Sequence, residues 1–97
     1  MIGDVTKLTI RVRPDGSTMT LKGRVAWAVH CLWQAGESGC TPIDHPGPRW
    51  ADYTFKAKKA GLRVETVTER HGGSFRGNHA RYVLRDQLDV LEIERGV

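Results

Sequence analysis

Long apolar runs are missing from this chain, so no segment approaches the length of a membrane span. A basic start leading into an apolar stretch is missing as well. Neither insertion nor secretion is therefore expected, and a bacterial-type cytoplasm is the default compartment. Cysteine is scarce: Cys31 and Cys40 stand without CxxC spacing, and both are expected to be reduced, Cys31 as a small hydrophobe in an apolar helical pattern. Enzyme signatures are lacking too. There is no serine in a nucleophile elbow, no phosphate-binding P-loop and no carboxylate cluster able to hold two magnesium ions. No catalytic activity, cofactor or small-molecule substrate is expected from such a chain.

Length is also limited. With 97 residues the expectation is one domain with one core, whose stability rests on a few large side chains, the three tryptophans first. Acidic residues fall short of basic ones by 11 to 15, which gives a net charge of +4 and favours polyanions as partners. The surplus is local. From Lys56 to Arg85 the cations Lys56, Lys58, Lys59, Arg63, Arg70, Arg76, Arg81 and Arg85 face only Glu65 and Glu69. After Gln87 the sign reverses with Asp89, Glu92 and Glu94 against Arg95.

The first patterned segment is Val5 to Val12, where Leu8, Ile10 and Val12 alternate with Lys7, Thr9 and Arg11 at the period of a half-buried strand. Pro14, Asp15 and Gly16 then favour a tight reversal, and Ser17 to Thr20 can return as a partner strand. Thr20 is placed to cap a helix whose inward face is Leu21, Val25, Ala28, Val29, Leu32 and Trp33, with Gly36 ending it. Residues 37 to 48 carry Gly39, Pro42, Pro46, Gly47 and Pro48, enough breakers to limit the segment to one short helix, with Thr41-Pro42 a suitable start. Pro48 repeats that device at the head of a third helix expected over 48–60 and stopped by Gly61. Trp50, Tyr53, Ala57 and Ala60 form its expected inward side, and Arg49, Asp52, Lys56 and Lys59 its outward side.

Two β-rich runs follow, Val64 to Arg70 and Ala80 to Arg85, around a glycine-rich tip spanning residues 71–79. Beyond Gln87 the apolar residues Leu88, Val90, Leu91 and Ile93 suit a strand or a short helix capped by Asp86, the strand being the preferred reading. Helix, breaker-rich turn, helix, strand, glycine-rich tip, strand is the element order of a winged helix. The expected class is thus α+β: a winged helix-turn-helix of three helices with a C-terminal β-hairpin wing and an added N-terminal β-hairpin. The expected division is 5–20 for that hairpin, 21–86 for the winged-helix core and 87–97 for a C-terminal extension.

The motifs Gly39-Cys40-Thr41-Pro42-Ile43, His45-Pro46-Gly47-Pro48-Arg49-Trp50, Glu65-Thr66-Val67, His71-Gly72-Gly73 and His79-Ala80-Arg81-Tyr82-Val83-Leu84 carry a resemblance. They look like small winged-helix proteins of phages and prophages of alphaproteobacteria, over roughly Leu21 to Leu84. The resemblance implies a helix-turn-helix fold and a DNA-binding role, with little about target or activity.

In such an arrangement the helix over 48–60 enters the major groove, phosphate contacts position the protein, and the wing lies on backbone or minor groove. Arg49 suits a guanine edge, while Lys56 and Lys59 suit phosphate as point charges. Arg76, among Gly72, Gly73 and Gly77, suits a narrow minor groove. Arg70 is a further candidate on the wing, and His71 and His79 flank its tip, where they can bond the loop backbone or approach phosphate. Phe75 can stack on a base or fold back on its own domain. Glu65 and Glu69 make poor acid-base machinery and suit cross-strand ion pairs with Arg81 or Arg85.

Zinc is disfavoured. His30, Cys31, Cys40 and His45 lie within a short span, but structural sites pair ligands two to about five residues apart, and His30 and Cys31 are adjacent on a helix. The expected partner is double-stranded DNA, bound by a transcriptional regulator or accessory factor. The alternative is a winged-helix interaction or assembly adaptor that ignores DNA, with a homodimer formed through the N-terminal hairpin.

Overall fold

The computed structural model describes residues 4–13, 16–45, 49–71 and 77–96, with the side chains of 71, 77 and 78 excepted. Strands β1 (Val5–Val12) and β2 (Ser17–Lys22) form the expected N-terminal hairpin, with Leu8 opposite Leu21 and Ile10 opposite Met19. Helix α1 (Arg24–Ala35) continues into a single 3₁₀ turn at Gly36–Ser38. After the connector come α2 (Trp50–Lys59), β3 (Val64–His71), β4 (Gly77–Leu84) and β5 (Leu88–Arg95). β3 and β4 make the wing as an antiparallel ribbon, and β5 returns to β1 to complete a sheet of order β2-β1-β5.

The described residues hold two α-helices, where three helices were expected, and the segment after the wing takes the preferred strand form as β5. The segment after Thr41 does turn once: the Thr41 hydroxyl accepts the Asp44 N–H, and its carbonyl accepts the His45 N–H at 2.9 Å. What precedes the turn resists lengthening it, because Cys40 exchanges two 2.8 Å backbone hydrogen bonds with Tyr82 and ties the connector to β4. Residues 46–48, including Pro46 and Pro48, lie outside the described residues.

Helix α1 also starts later than its apolar spacing indicates. Leu21 belongs to β2 and is buried, and Thr20 does not cap the helix; its hydroxyl lies 3.2 Å from that of Thr9 on β1. Pairing with β1 down to the Lys7–Lys22 rung outweighs one more helical turn. Gly23 makes the change of direction with φ of 70°, a left-handed conformation that a side chain would strain, and its N–H bonds the Thr6 carbonyl.

The core gathers where the elements meet. Leu8 and Ile10 of β1 are fully buried with Val5 and Leu21, and against them lie Ala26, Ala28, Val29 and Leu32 of α1. Trp50, Tyr53 and Ala57 of α2 and Val64 and Tyr82 of the wing join the same cluster. Trp50 stacks on Tyr82 with ring centres 5.8 Å apart, and its indole N–H donates to the His45 carbonyl. This aromatic contact sets α2 against the base of the wing. Trp33, expected inward, is 39% exposed, while His30 takes a buried place on α1.

Candidate nucleic-acid interface

Helix α2 buries Trp50, Tyr53, Thr54 and Ala57 on one side. Thr54, a weak helix former, is accommodated because its hydroxyl bonds the carbonyls of Trp50 and Ala51, both at 3.1 Å. The helical period then forces Arg49, Asp52, Phe55, Lys56 and Lys59 towards the other side. Arg49 stands at the N-cap position, exposed, with its carbonyl accepting the Tyr53 N–H. Lys56 reaches back one turn to Asp52 at 3.1 Å, an exposed pair that salt screens readily. Asp52 in the first turn and Lys56, Lys58 and Lys59 in the last also complement the helix dipole. Ala60, expected inward, is exposed at the C-cap.

Two side chains on this surface escape a reading by residue type. Phe55 is 58% exposed at the middle of the outward face, with the Lys59 ammonium 5.4 Å from its ring centre. Arg24, at the start of α1, lies 4.0 Å over the Trp27 ring and 5.7 Å from the Tyr53 ring, which brings a cation beside α2. The Arg24 to Trp27 spacing of three residues was the available signal for that contact. For Phe55 the signal was its helical phase, opposite Trp50 and Tyr53.

On the wing, strand alternation divides the charges. Arg70 is exposed on the ribbon face that also carries Tyr82, the face packed on Trp50 of α2. Glu65, Val67 and Glu69 lie on the opposite face with their cross-strand partners Val83, Arg81 and His79. There Glu69 accepts from Arg81 Nε at 2.7 Å and lies 3.0 Å from His79 Nε2, while Arg81 also donates to the Ser38 carbonyl. The Arg81 hydrogen bond, more than any other contact, holds the Glu69 carboxyl below its ordinary range. Glu65 pairs with Arg85. The expected cross-strand pairing of both glutamates is therefore present.

The candidate residues thus separate. Arg49, Lys56 and Lys59 share the exposed outer side of α2, while Arg70 is exposed on the wing, four rungs beyond the Tyr82 rung that packs on Trp50. His79 points to the other face and is engaged with Glu69. His71 ends β3, its side chain outside the described residues, and Arg76, like Gly72, Gly73 and Phe75, lies outside them altogether. The two thiols are buried or half-buried, and burial pushes Cys40 up to about 12, so neither is poised as a nucleophile. Among the described residues no group of three or more His, Cys, Asp or Glu is arranged to hold a metal ion, and no helix is long and apolar enough to cross a membrane.

Two helices, a connector bridged to the second wing strand and an antiparallel wing packed on the second helix make the arrangement specific. The winged helix domain family matches residues 18–94, which is most of the chain. The chain belongs to that family. No curated protein and no solved structure matches it. The winged helix match extends beyond the Leu21 to Leu84 region of resemblance in both directions, taking in most of β2 and nearly all of β5. Nearly all of β5 therefore falls within the winged helix match. The fold is one that serves DNA binding generally and is typically non-enzymatic.

Proposed function

We propose that this winged-helix chain, acting as a single domain, binds double-stranded DNA with α2 in the major groove and the wing alongside. The observation that carries the reading is the exposed basic outer side of α2, with a further exposed cation, Arg70, on the wing. Lys56 and Lys59 supply charge to phosphates, and Arg49 at the helix N-terminus has the fork geometry for a guanine edge. Arg24 extends the positive rim from α1. His71, His79 and Arg76 belong to the wing end, where backbone or minor-groove contact is proposed. The role is that of a cytoplasmic transcriptional regulator or accessory factor of the phage and prophage kind that the sequence motifs resemble.

The test is fluorescence anisotropy on a random-sequence duplex at two salt concentrations, followed by selection from a random duplex pool. Affinity should fall steeply with salt as counterions are released. Replacing Lys56, Lys59 and Arg76 together by alanine should weaken binding to all sequences, whereas Arg49→Ala should chiefly relax the selected motif. Undiminished duplex binding by the triple variant would falsify the docking geometry.

A second reading has its own support. Both outer strands of the sheet, β2 and β5, have an edge open among the described residues, and β5 shows Leu91 and Ile93 beside that edge. Pairing of two copies would use β2 of the N-terminal hairpin or β5, since β1 is occupied on both sides. Light scattering with a gel shift separates the readings, because a dimer indifferent to DNA favours the adaptor.

A further inference from the structure

Away from the outer face of α2, three arginines from three separate segments converge. Arg13 follows β1, Arg63 precedes β3, and Arg85 follows β4. The backbone joins them: the Arg85 N–H bonds the Arg63 carbonyl, and the Arg13 N–H bonds the Gln87 carbonyl, both at 2.8 Å. Together with Gln87 they line an open concavity of about 300 Å³. The lining residues are thus three arginines and one glutamine, with no acidic residue among them.

The acids that balance these charges stand outside that lining. Asp86 has only 5% of its side chain exposed and accepts both the backbone N–H of Arg63 at 2.7 Å and its Nε at 2.8 Å. Arg13 gives Nε and one Nη to Asp89, and Arg85 pairs with Glu65 through the same edge. A guanidinium has five N–H donors, and a carboxylate on the Nε edge leaves those on the far Nη positions over. Fixed in this way, the three forks need no large loss of side-chain freedom to meet a ligand. Arg63, with 74% of its side chain exposed, is the most accessible.

We infer that Arg13, Arg63, Arg85 and Gln87 form an anion site for a phosphate group, separate from the α2 face. Guanidinium forks match tetrahedral phosphate oxygens, and the Gln87 amide adds a neutral donor. A neighbouring concavity shares Arg63 and Arg85 and carries Lys58 of α2 beside Glu65, Leu62 and Val64, so cations extend towards the end of α2 with one acid among them. The phosphate has two sources that the chemistry alone treats alike: a free phosphate compound, or the backbone of a duplex reaching past α2.

The experiment follows the guanidinium Nε–H signals and the Gln87 amides by NMR during titration with inorganic pyrophosphate and, separately, with a short duplex. Arg63→Gln and Arg85→Gln are the test variants, since Asp86 keeps its bond from the residue 63 backbone. Lys22→Gln, at the end of β2 opposite Lys7 of β1, removes the same charge elsewhere. Saturable shifts with pyrophosphate, weakened about tenfold or more in both arginine variants but not in the lysine control, support a free-phosphate site. Shifts with duplex only, and a salt slope reduced by about 0.9 for each phosphate that the variant no longer neutralises, support the backbone as the source. Equal weakening by Lys22→Gln, or no shift with either probe, overturns the site. Variants that disable α2 docking leave the pyrophosphate result standing, so this site and the proposed DNA reading fail independently.

Discussion

Ribbon β1–β2 buries Leu8 and Ile10 completely and has the far side of β1 covered by β5, whereas ribbon β3–β4 buries Val64, Tyr82 and Val83 at its base and carries charge along the rest. Both are antiparallel pairs with the same two-residue alternation. The difference lies in what each face meets. The first ribbon packs on α1, so its inward residues are apolar and its register is strongly specified. The second packs over its lower half, on Trp50, the Cys40 bridge and the Ser38 carbonyl, with Glu65–Arg85 at its base and Glu69–Arg81 further along. A ribbon that presents polar atoms to water or phosphate needs packing over only part of its length. A ribbon that closes a core needs volume filled.

The largest contrast should come from truncation. Ile10→Ala removes a fully buried side chain and should cost roughly 2–5 kcal/mol, whereas Val67→Ala on the exposed part of β3 should change stability by no more than about 0.5 kcal/mol. Urea denaturation of the two variants measures the difference. Comparable losses would mean that the wing is as much a part of the core as the hairpin.

The joint between the regions is the next place to break the comparison. Gly39 takes φ of 69°, and a Cβ there would lie 2.5 Å from the Tyr82 carbonyl oxygen and 2.8 Å from Val83 Cγ2. Gly39→Ala should therefore loosen the connector from β4 at a cost of about 1–3 kcal/mol. Hydrogen exchange should show faster exchange at Cys40 and Tyr82 with the β1–β2 ladder protected. Uniform loss of protection would instead make wing and hairpin one cooperative unit.

Acid should separate the regions by onset. Burial, with Arg95 as a lesser cause, holds His30 below its ordinary value of 6.5, so the unfolded chain takes that proton first. Its contribution is complete above 6.5 and is lost as pH falls through the lowered folded value. Glu69 behaves alike from its ordinary value of 4.5, held down mainly by Arg81, so loss from the wing begins at lower pH. Thermal midpoints across this range should show the earlier decline abolished in His30→Gln and retained in Glu69→Gln.

Legibility in the sequence follows the reach of the deciding contact. The β1 alternation and the inward phase of Trp50, Tyr53 and Ala57 are local, and both hold in the structure. Leu21 is different, because it satisfies the helical spacing with Val25 and the strand phase with Met19. Only its partner Leu8, thirteen residues away, decides between them. The Cys40–Tyr82 bridge and the pairing of β5 with β1 are longer in reach still, and no local pattern announces either. At the candidate interface, Arg49, Lys56, Lys59 and Arg70 could be picked out by charge and phase. The engagement of His79 with Glu69 and not Glu65 could not be chosen from the sequence, since it depends on the wing register that sets them opposite one another.

Phe55 gives the smallest expected effect on stability and the finest test of the contrast between α2's inner and outer sides. Tyr53 and Phe55 are aromatic residues two positions apart, yet Tyr53 is buried against Trp27 and Trp50 while Phe55 stands in the open. Phe55→Ala should leave the urea midpoint within about 0.5 kcal/mol of the parent, because little burial is lost. An apolar ring on the face proposed for the major groove suits a thymine methyl group, a contact that distinguishes T from C. Selection from a random duplex pool should then show a thymine preference that weakens in Phe55→Ala while overall affinity at low salt falls only slightly, since the phosphate contacts remain. An unchanged selected motif would remove Phe55 from base reading, and a shift from dimer to monomer in the variant would place it in an interface between copies.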